Sequence, residues 1–174
     1  MNLKKLKILA IVIAFGFCFP LHFLYERFPN FITSILSPVN ESIWEHMKIL
    51  FGSILLAGIV QKIIILFKKV KVNNVCFSNF VAAVGSIPIF LIIYLPIYYI
   101  FGSKMVINIL VMLVAIILAE VISFVIMNKR DFKMENITIF FVILIYIVFG
   151  ILTYYPLKID IFIDPTNSIF GIAK

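Results

Sequence analysis

Five long apolar runs, separated by short polar connections, dominate the chain. They cover residues 6–25, 47–67, 77–100, 105–127 and 137–155. A helix that crosses the hydrocarbon core of a bilayer needs about 20 mostly apolar residues. Each run meets that length, so the pattern predicts five membrane-spanning helices. No alternation of period two marks a sheet within the runs, and no internal repeat is visible. The expected fold is therefore all-α, a single transmembrane bundle followed by a polar-apolar tail over 156–174.

Composition agrees with this solvent. Of the 174 residues, 64% are hydrophobic, against about 45–50% in ordinary soluble domains. A chain this short cannot hide so much apolar surface from water. The first run begins like a signal peptide, with Lys4, Lys5 and Lys7 ahead of Ile8 and Leu9. No small-residue cleavage site follows and the run is too long, so it reads as an uncleaved first span. Cys18 and Cys76 fall at different depths and read as apolar fillers rather than a disulfide.

The net charge of +7 is unevenly distributed. One set of loops holds Lys4, Lys5, Lys7, Lys62, Lys68, Lys69, Lys71, Lys129, Arg130 and Lys133 against Asp131 and Glu135. The opposite set balances Arg27, Lys48, Lys104, Lys158 and Lys174 against Glu26, Glu41, Glu45, Asp160 and Asp164. Positive loops stay in the cytoplasm, which predicts a cytoplasmic N-terminus and an external C-terminus in a multi-pass protein of the cell membrane. Short basic clusters between apolar runs suit anionic lipid headgroups and not nucleic acid. Prolines mark irregularities without ending spans: Pro20 removes a backbone donor late in the first, and Pro88 and Pro96 are expected to bend the third.

Chemistry gathers at the external side. His22 and Glu26 close the first span, and Asn40, Glu41, Ser42, Trp44, Glu45 and His46 precede the second. Ser37 followed by Pro38 reads as an N-cap and first helical position, which would carry Asn40 through His46 on the first turns of the second helix. Glu41 and Glu45 would then share one face, as would His22 and Glu26.

Three readings of this cluster compete. In the plainest, Glu41 and Glu45 complement the positive end of a helix dipole and Trp44 anchors the interface. In the second, His22, Glu26, Glu45 and His46 hold a divalent metal such as zinc, whose bound water attacks a lipid or envelope substrate. Glu41 would then be a candidate base and Asn40 an orienting group. In the third, the His–Glu pairs act in acid–base catalysis without metal, or bind a cation or substrate in transport. A purely structural subunit would need no site at all.

Glu120 lies deep within the fourth span. It must be protonated, paired or beside water: either a static clasp with Gln61 or Ser86 holds it across the bundle, or it has a proton or substrate role, with Glu120 and Gln61 continuing a transport path inward. The tail carries a turn signal at Asp164-Pro165-Thr166-Asn167. It is too apolar to float free: it either lies passively on the bilayer surface or folds back over the outer mouth, which would carry Asp164 to the His22/His46 cluster.

The stretch His22-Phe23-Leu24-Tyr25-Glu26, the segment from Pro38-Val39-Asn40-Glu41-Ser42-Ile43-Trp44-Glu45-His46 to Met47-Lys48, and the ending around Tyr155-Pro156, Phe162-Ile163-Asp164-Pro165 and Phe170-Gly171-Ile172 resemble a known family. It is a family of small bacterial integral-membrane proteins catalogued as a domain of unknown function (number 6512). The resemblance spans nearly the whole chain and implies a multi-helix membrane protein. It implies no activity, substrate or cofactor.

Overall fold

Asn2 opens the first helix by accepting the Lys5 N–H at 2.9 Å. Helix α1 then runs over Leu3–Arg27, passing through Pro20 without a break. The computed structural model describes residues 2–172. A short α2 follows over Phe31–Leu36, then α3 (Ile43–Lys68), α4 (Val75–Phe101), α5 (Met105–Met127) and α6 (Glu135–Tyr154), with a 3-10 turn at Asp160–Phe162. Five of these helices are long and apolar enough to cross a membrane. In hydrocarbon every backbone N–H and C=O must find a partner within the chain, and a continuous helix provides them all.

The spans end within four residues of the expected limits, and α5 matches them at both ends. At the start of α3 the expectation fails, and for a physical reason. Ser37 ends α2, whose six residues are held by a capping box: the Asn30 side chain accepts the Ile32 and Thr33 N–H groups, and Thr33 Oγ1 accepts the Asn30 N–H. The next helix begins only at Ile43, with Ser42 as N-cap accepting the Glu45 N–H. Residues 37–42 are therefore a loop, and Glu41 and Glu45 do not share a helix face.

Helix α3 is the buried axis of the bundle. It packs against α1 on one side and α4 on the other, while α5 bridges α4 and α1 and α6 lies against α2 and α4. Ala14, Ala57, Ala82, Ala83, Ala115 and Ala119 line the contacts and are almost fully buried. Small residues let neighbouring backbones approach, which is how helices gain packing energy where lipid is as apolar as leucine. At the closest approach of α3 and α4, a Cβ on Gly58 would sit 2.9 Å from Asn79 Cβ. Large apolar residues such as Ile92, Leu110, Phe140 and Ile147 cover the outside.

The helices alternate in direction, so the bundle has two chemically different ends. The start of α1 and the α3–α4 and α5–α6 loops make a basic end, where Asn74 Nδ2 donates to the Arg130 carbonyl at 2.8 Å and Oδ1 accepts the Phe132 N–H at 2.8 Å. The other end gathers α2, the 37–42 loop and the tail. There the tail folds back: Trp44 stacks on Phe162 with centroids 4.8 Å apart, and Ile163 pairs with Phe170 in an antiparallel bridge.

Candidate functional site

His22 lies on the last turns of α1 and His46 on the first turn of α3. The backbone path of the 37–42 loop carries Glu41 between them. Its carboxylate oxygens stand 3.5 Å from His22 Nε2 and 3.6 Å from His46 Nε2, and the imidazole centroids are 5.8 Å apart. His46 Nδ1 lies 2.9 Å from the Ser42 carbonyl oxygen. A carbonyl only accepts, so Nδ1 carries the hydrogen and neutral His46 presents a lone pair at Nε2. Glu41 remains half exposed and His22 partly so, whereas His46 is buried.

Asn40 fixes this loop. Its Oδ1 accepts the Ser42 N–H at 2.9 Å and its Nδ2 donates to the Gly171 carbonyl at 2.8 Å. Both ends of the amide are thus spent on backbone, which makes Asn40 a positioning residue. Gly171 has φ +67 and a Cβ there would meet the Thr153 carbonyl at 2.6 Å, so only glycine allows the tail to lie this close. Asp164 is buried beside the loop. Burial pushes its carboxyl up, but the Thr166 hydroxyl and N–H, the Glu41 N–H and the Asn167 amide outweigh this and hold it below the usual carboxylate range.

The triad stands at the rim of a cavity of about 460 Å³. Its walls are Phe15, Phe19, Phe23, Ile49, Ile109 and Met112, from α1, α3 and α5; Ser103, Asn108 and Thr166 add to the polar rim. Phe19, Phe23 and Met105 are exposed at its edge, so the cavity opens through the side of the bundle between α1 and α5. His22 lies five residues before the end of α1, about 7.5 Å at 1.5 Å per residue. That is interfacial depth for a spanning helix.

The family model described as a family of unknown function (DUF6512) matches residues 1–172. The chain belongs to this family. No curated protein and no solved structure matches it. The five apolar helices make this DUF6512 member a multi-pass membrane protein by length and composition.

Two of the expected metal ligands lie elsewhere. Glu45 is fully buried on another side of α3, paired with Lys48 and accepting from the Val39 N–H at 2.9 Å and the Thr153 hydroxyl at 3.0 Å. Lys48 Nζ completes its set with the Ser34 carbonyl and Thr153 Oγ1. Glu26 is exposed and outside the triad. Among the described residues, no group of three or more His, Cys, Asp or Glu side chains is arranged to hold a metal ion. The set His22, Glu26, Glu45 and His46 is thus corrected: successive residues on a helix face different directions, so Glu45 and His46 serve different neighbours.

Glu120 is not clasped directly by Gln61 or Ser86. Lys7 reaches it across α1 and α5 at 2.9 Å, and the same ammonium contacts Ser123 Oγ, Gln61 Oε1 at 3.4 Å and Asn79 Oδ1 at 3.5 Å. Gln61 joins the network through Lys7 and Asn79, while Ser86 Oγ donates to the Ala83 carbonyl. By position in the sequence Lys7 belongs to the basic loops and Lys48 to the opposite set; in the structure both are buried ion-pair partners. The signal for Lys48 was present in its i,i+3 spacing from Glu45. For Lys7 and Glu120, 113 residues apart, the sequence holds no such signal.

Proposed function

We propose that this protein is a cell-membrane enzyme, a hydrolase or transferase acting on a lipid or lipid-linked envelope substrate at the outer face. The observation that carries the reading is the continuity of the apolar cavity with the His22–Glu41–His46 rim. A hydrocarbon chain fits the walls, and the adjoining head group then meets groups able to move a proton. The excess of Lys and Arg at the opposite end supports an outward-facing site; with Lys7 paired inside the bundle, the other nine cations still face only Asp131 and Glu135 there.

In this reading His46 Nε2 takes the proton of a water or hydroxyl as it attacks the substrate. The Ser42 carbonyl holds the ring in the tautomer that exposes the lone pair, and the Glu41 carboxylate stabilises the imidazolium that forms. His22, facing the other carboxylate oxygen, is placed to hand a proton to the leaving group. The chemistry needs neither Glu26 nor Glu45. Transport fits less well, because a layer of Ile54, Ala57, Ala115, Ile116 and Ala119 is fully buried between this rim and the Lys7–Glu120 network.

The test is product analysis by mass spectrometry after incubating the full chain in vesicles of defined membrane lipids. Wild type should convert a lipid, and Glu41→Gln or His46→Gln should lower the rate by about 10²–10⁴-fold, the usual contribution of a general base. Turnover should persist after dialysis against a chelator. Unaltered lipids with wild type, or equal rates with both variants, would sink the proposal.

A further inference from the structure

The polar rim of the cavity is rich in hydrogen-bond acceptors, with the His22 imidazole, turned to Glu41 at 3.5 Å, and the Ser103 hydroxyl as donors. Glu41 offers two carboxylate oxygens. His46 offers its Nε2 lone pair, since Nδ1–H is committed to the Ser42 carbonyl. Thr166 donates its hydroxyl hydrogen to Asp164 Oδ1 at 2.6 Å, so its oxygen turns only lone pairs outward. Asn108 donates through Nδ2 to Ser103 Oγ at 3.3 Å, and its Oδ1 is buried with no partner. Ser103 keeps one free hydroxyl hydrogen. Among the described residues, no lysine or arginine lines the cavity.

Such a rim has a definite electrostatic preference. A phosphate head brings negative charge and more acceptors, and recognition of it normally relies on Arg, Lys or converging N–H groups. Here it would face the Glu41 carboxylate with no lysine or arginine beside it among the described residues, and the His22 imidazole is already turned to Glu41. A head group that donates would instead satisfy what is missing. The 3.6 Å between Glu41 and His46 Nε2 is too long for a direct hydrogen bond, and a donor seated beside both would satisfy them. The same donor class suits Asn108 Oδ1, whose unpaired burial is otherwise costly. The cavity volume of about 460 Å³ lies in the lower half of the usual ligand range of about 300–1,000 Å³, which accommodates one chain and a small head.

We infer that the cavity binds a single-chain amphiphile whose head donates hydrogen bonds, a hydroxyl or a primary ammonium, and discriminates against a phosphomonoester head. The inference rests on the lipid-acting role proposed for the same site and specifies its substrate class: the head hydroxyl or amine is the group that His46 Nε2 would deprotonate.

Binding is measured directly, without turnover, on the full chain in phosphatidylcholine nanodiscs. The probes are a monoacylglycerol, a long-chain primary amine and a lysophosphatidic acid of the same chain length. The first two should bind at least about tenfold more tightly than the third. Glu41→Gln should weaken the amine more than the monoacylglycerol, Asn108→Leu should weaken both, and Ile109→Trp, which fills the apolar wall, should weaken all three probes. Lysophosphatidic acid binding as tightly as the others, or probes indifferent to Ile109→Trp, would overturn the inference; the comparison among heads needs only wild type. The two ideas fail separately. Selective binding with no lipid conversion removes the enzyme reading alone, and lipid conversion with a preference for the phosphate head removes this inference alone.

Discussion

Lys7 and Glu120 illustrate how single residues govern this bundle. Each would cost several kcal/mol alone in hydrocarbon, and together they are tolerated because Gln61, Asn79 and Ser123 complete the shell around the ammonium. Removing one partner strands the other. Lys7→Met should therefore destabilise the protein by about 3–5 kcal/mol, while Lys7→Met with Glu120→Leu should recover most of the loss. Thermal unfolding in one detergent, compared across wild type and both variants, checks this. A double variant no more stable than the single one would show that the pair is not the reason. The same logic separates Glu45 from Glu41. Glu45 is enclosed by Lys48, Val39 and Thr153, whereas Glu41 stays half exposed between two imidazoles.

Helices in this protein are specified by length and apolarity, but their contacts are specified by small residues. Gly58 is the clearest case, because Asn79 occupies the space a side chain would need. Gly58→Val should push α3 and α4 apart and disturb the Asn79–Gln61 hydrogen bond of 3.0 Å. Overpacking of this kind costs about 1–3 kcal/mol. Its effect should appear as lowered thermal stability with weakened Lys7–Glu120 packing, while the distant His22–Glu41–His46 rim keeps its ligand affinity. Loss of affinity without loss of stability would contradict that assignment. The short α2 acts at the same level: Asn30 caps it, its end at Ser37 releases the chain into the 37–42 loop, and that loop delivers Glu41.

Across the whole molecule the tail completes the end of the bundle that carries the His22–Glu41–His46 rim. Trp44, the one tryptophan of the chain, stacks on Phe162, and Asp164 holds a buried turn against the Glu41 loop. Because the Asp164 carboxyl is held below its ordinary value, its contribution is present above the unfolded-state value of about 3.9 and is lost as pH falls through the lower folded-state value. Acidification below about pH 4 should thus loosen the tail, and Trp44 fluorescence should shift to the red. Asp164→Asn should remove the Asp164-dependent part of that shift; an unchanged acid transition in the variant would assign it to another group. Removing the tail after Tyr155 should expose Trp44 at every pH and lower the activity that depends on Glu41.

The number of spans, their approximate limits and the crowding of polar groups at one end were all legible from the residues in order. Hydropathy over about 20 positions is a local property, and a helix is the structure that satisfies every backbone group within one such segment. The tail had two courses open to it, lying on the bilayer surface or folding back, and the packing of Asp164 against the Glu41 loop decides for the second. Which carboxylate meets the imidazoles was not legible. That depends on where α3 begins and how it is rotated, and a start at Ile43 instead of Pro38 frees Glu41 into a loop and turns Glu45 to Lys48. Nor could the order of residues announce that Lys7 crosses to Glu120, because that choice belongs to the packing of α1 against α5. Local chemistry fixed the elements, while the pairing of charges followed from rotations and contacts that exist only once the helices are assembled.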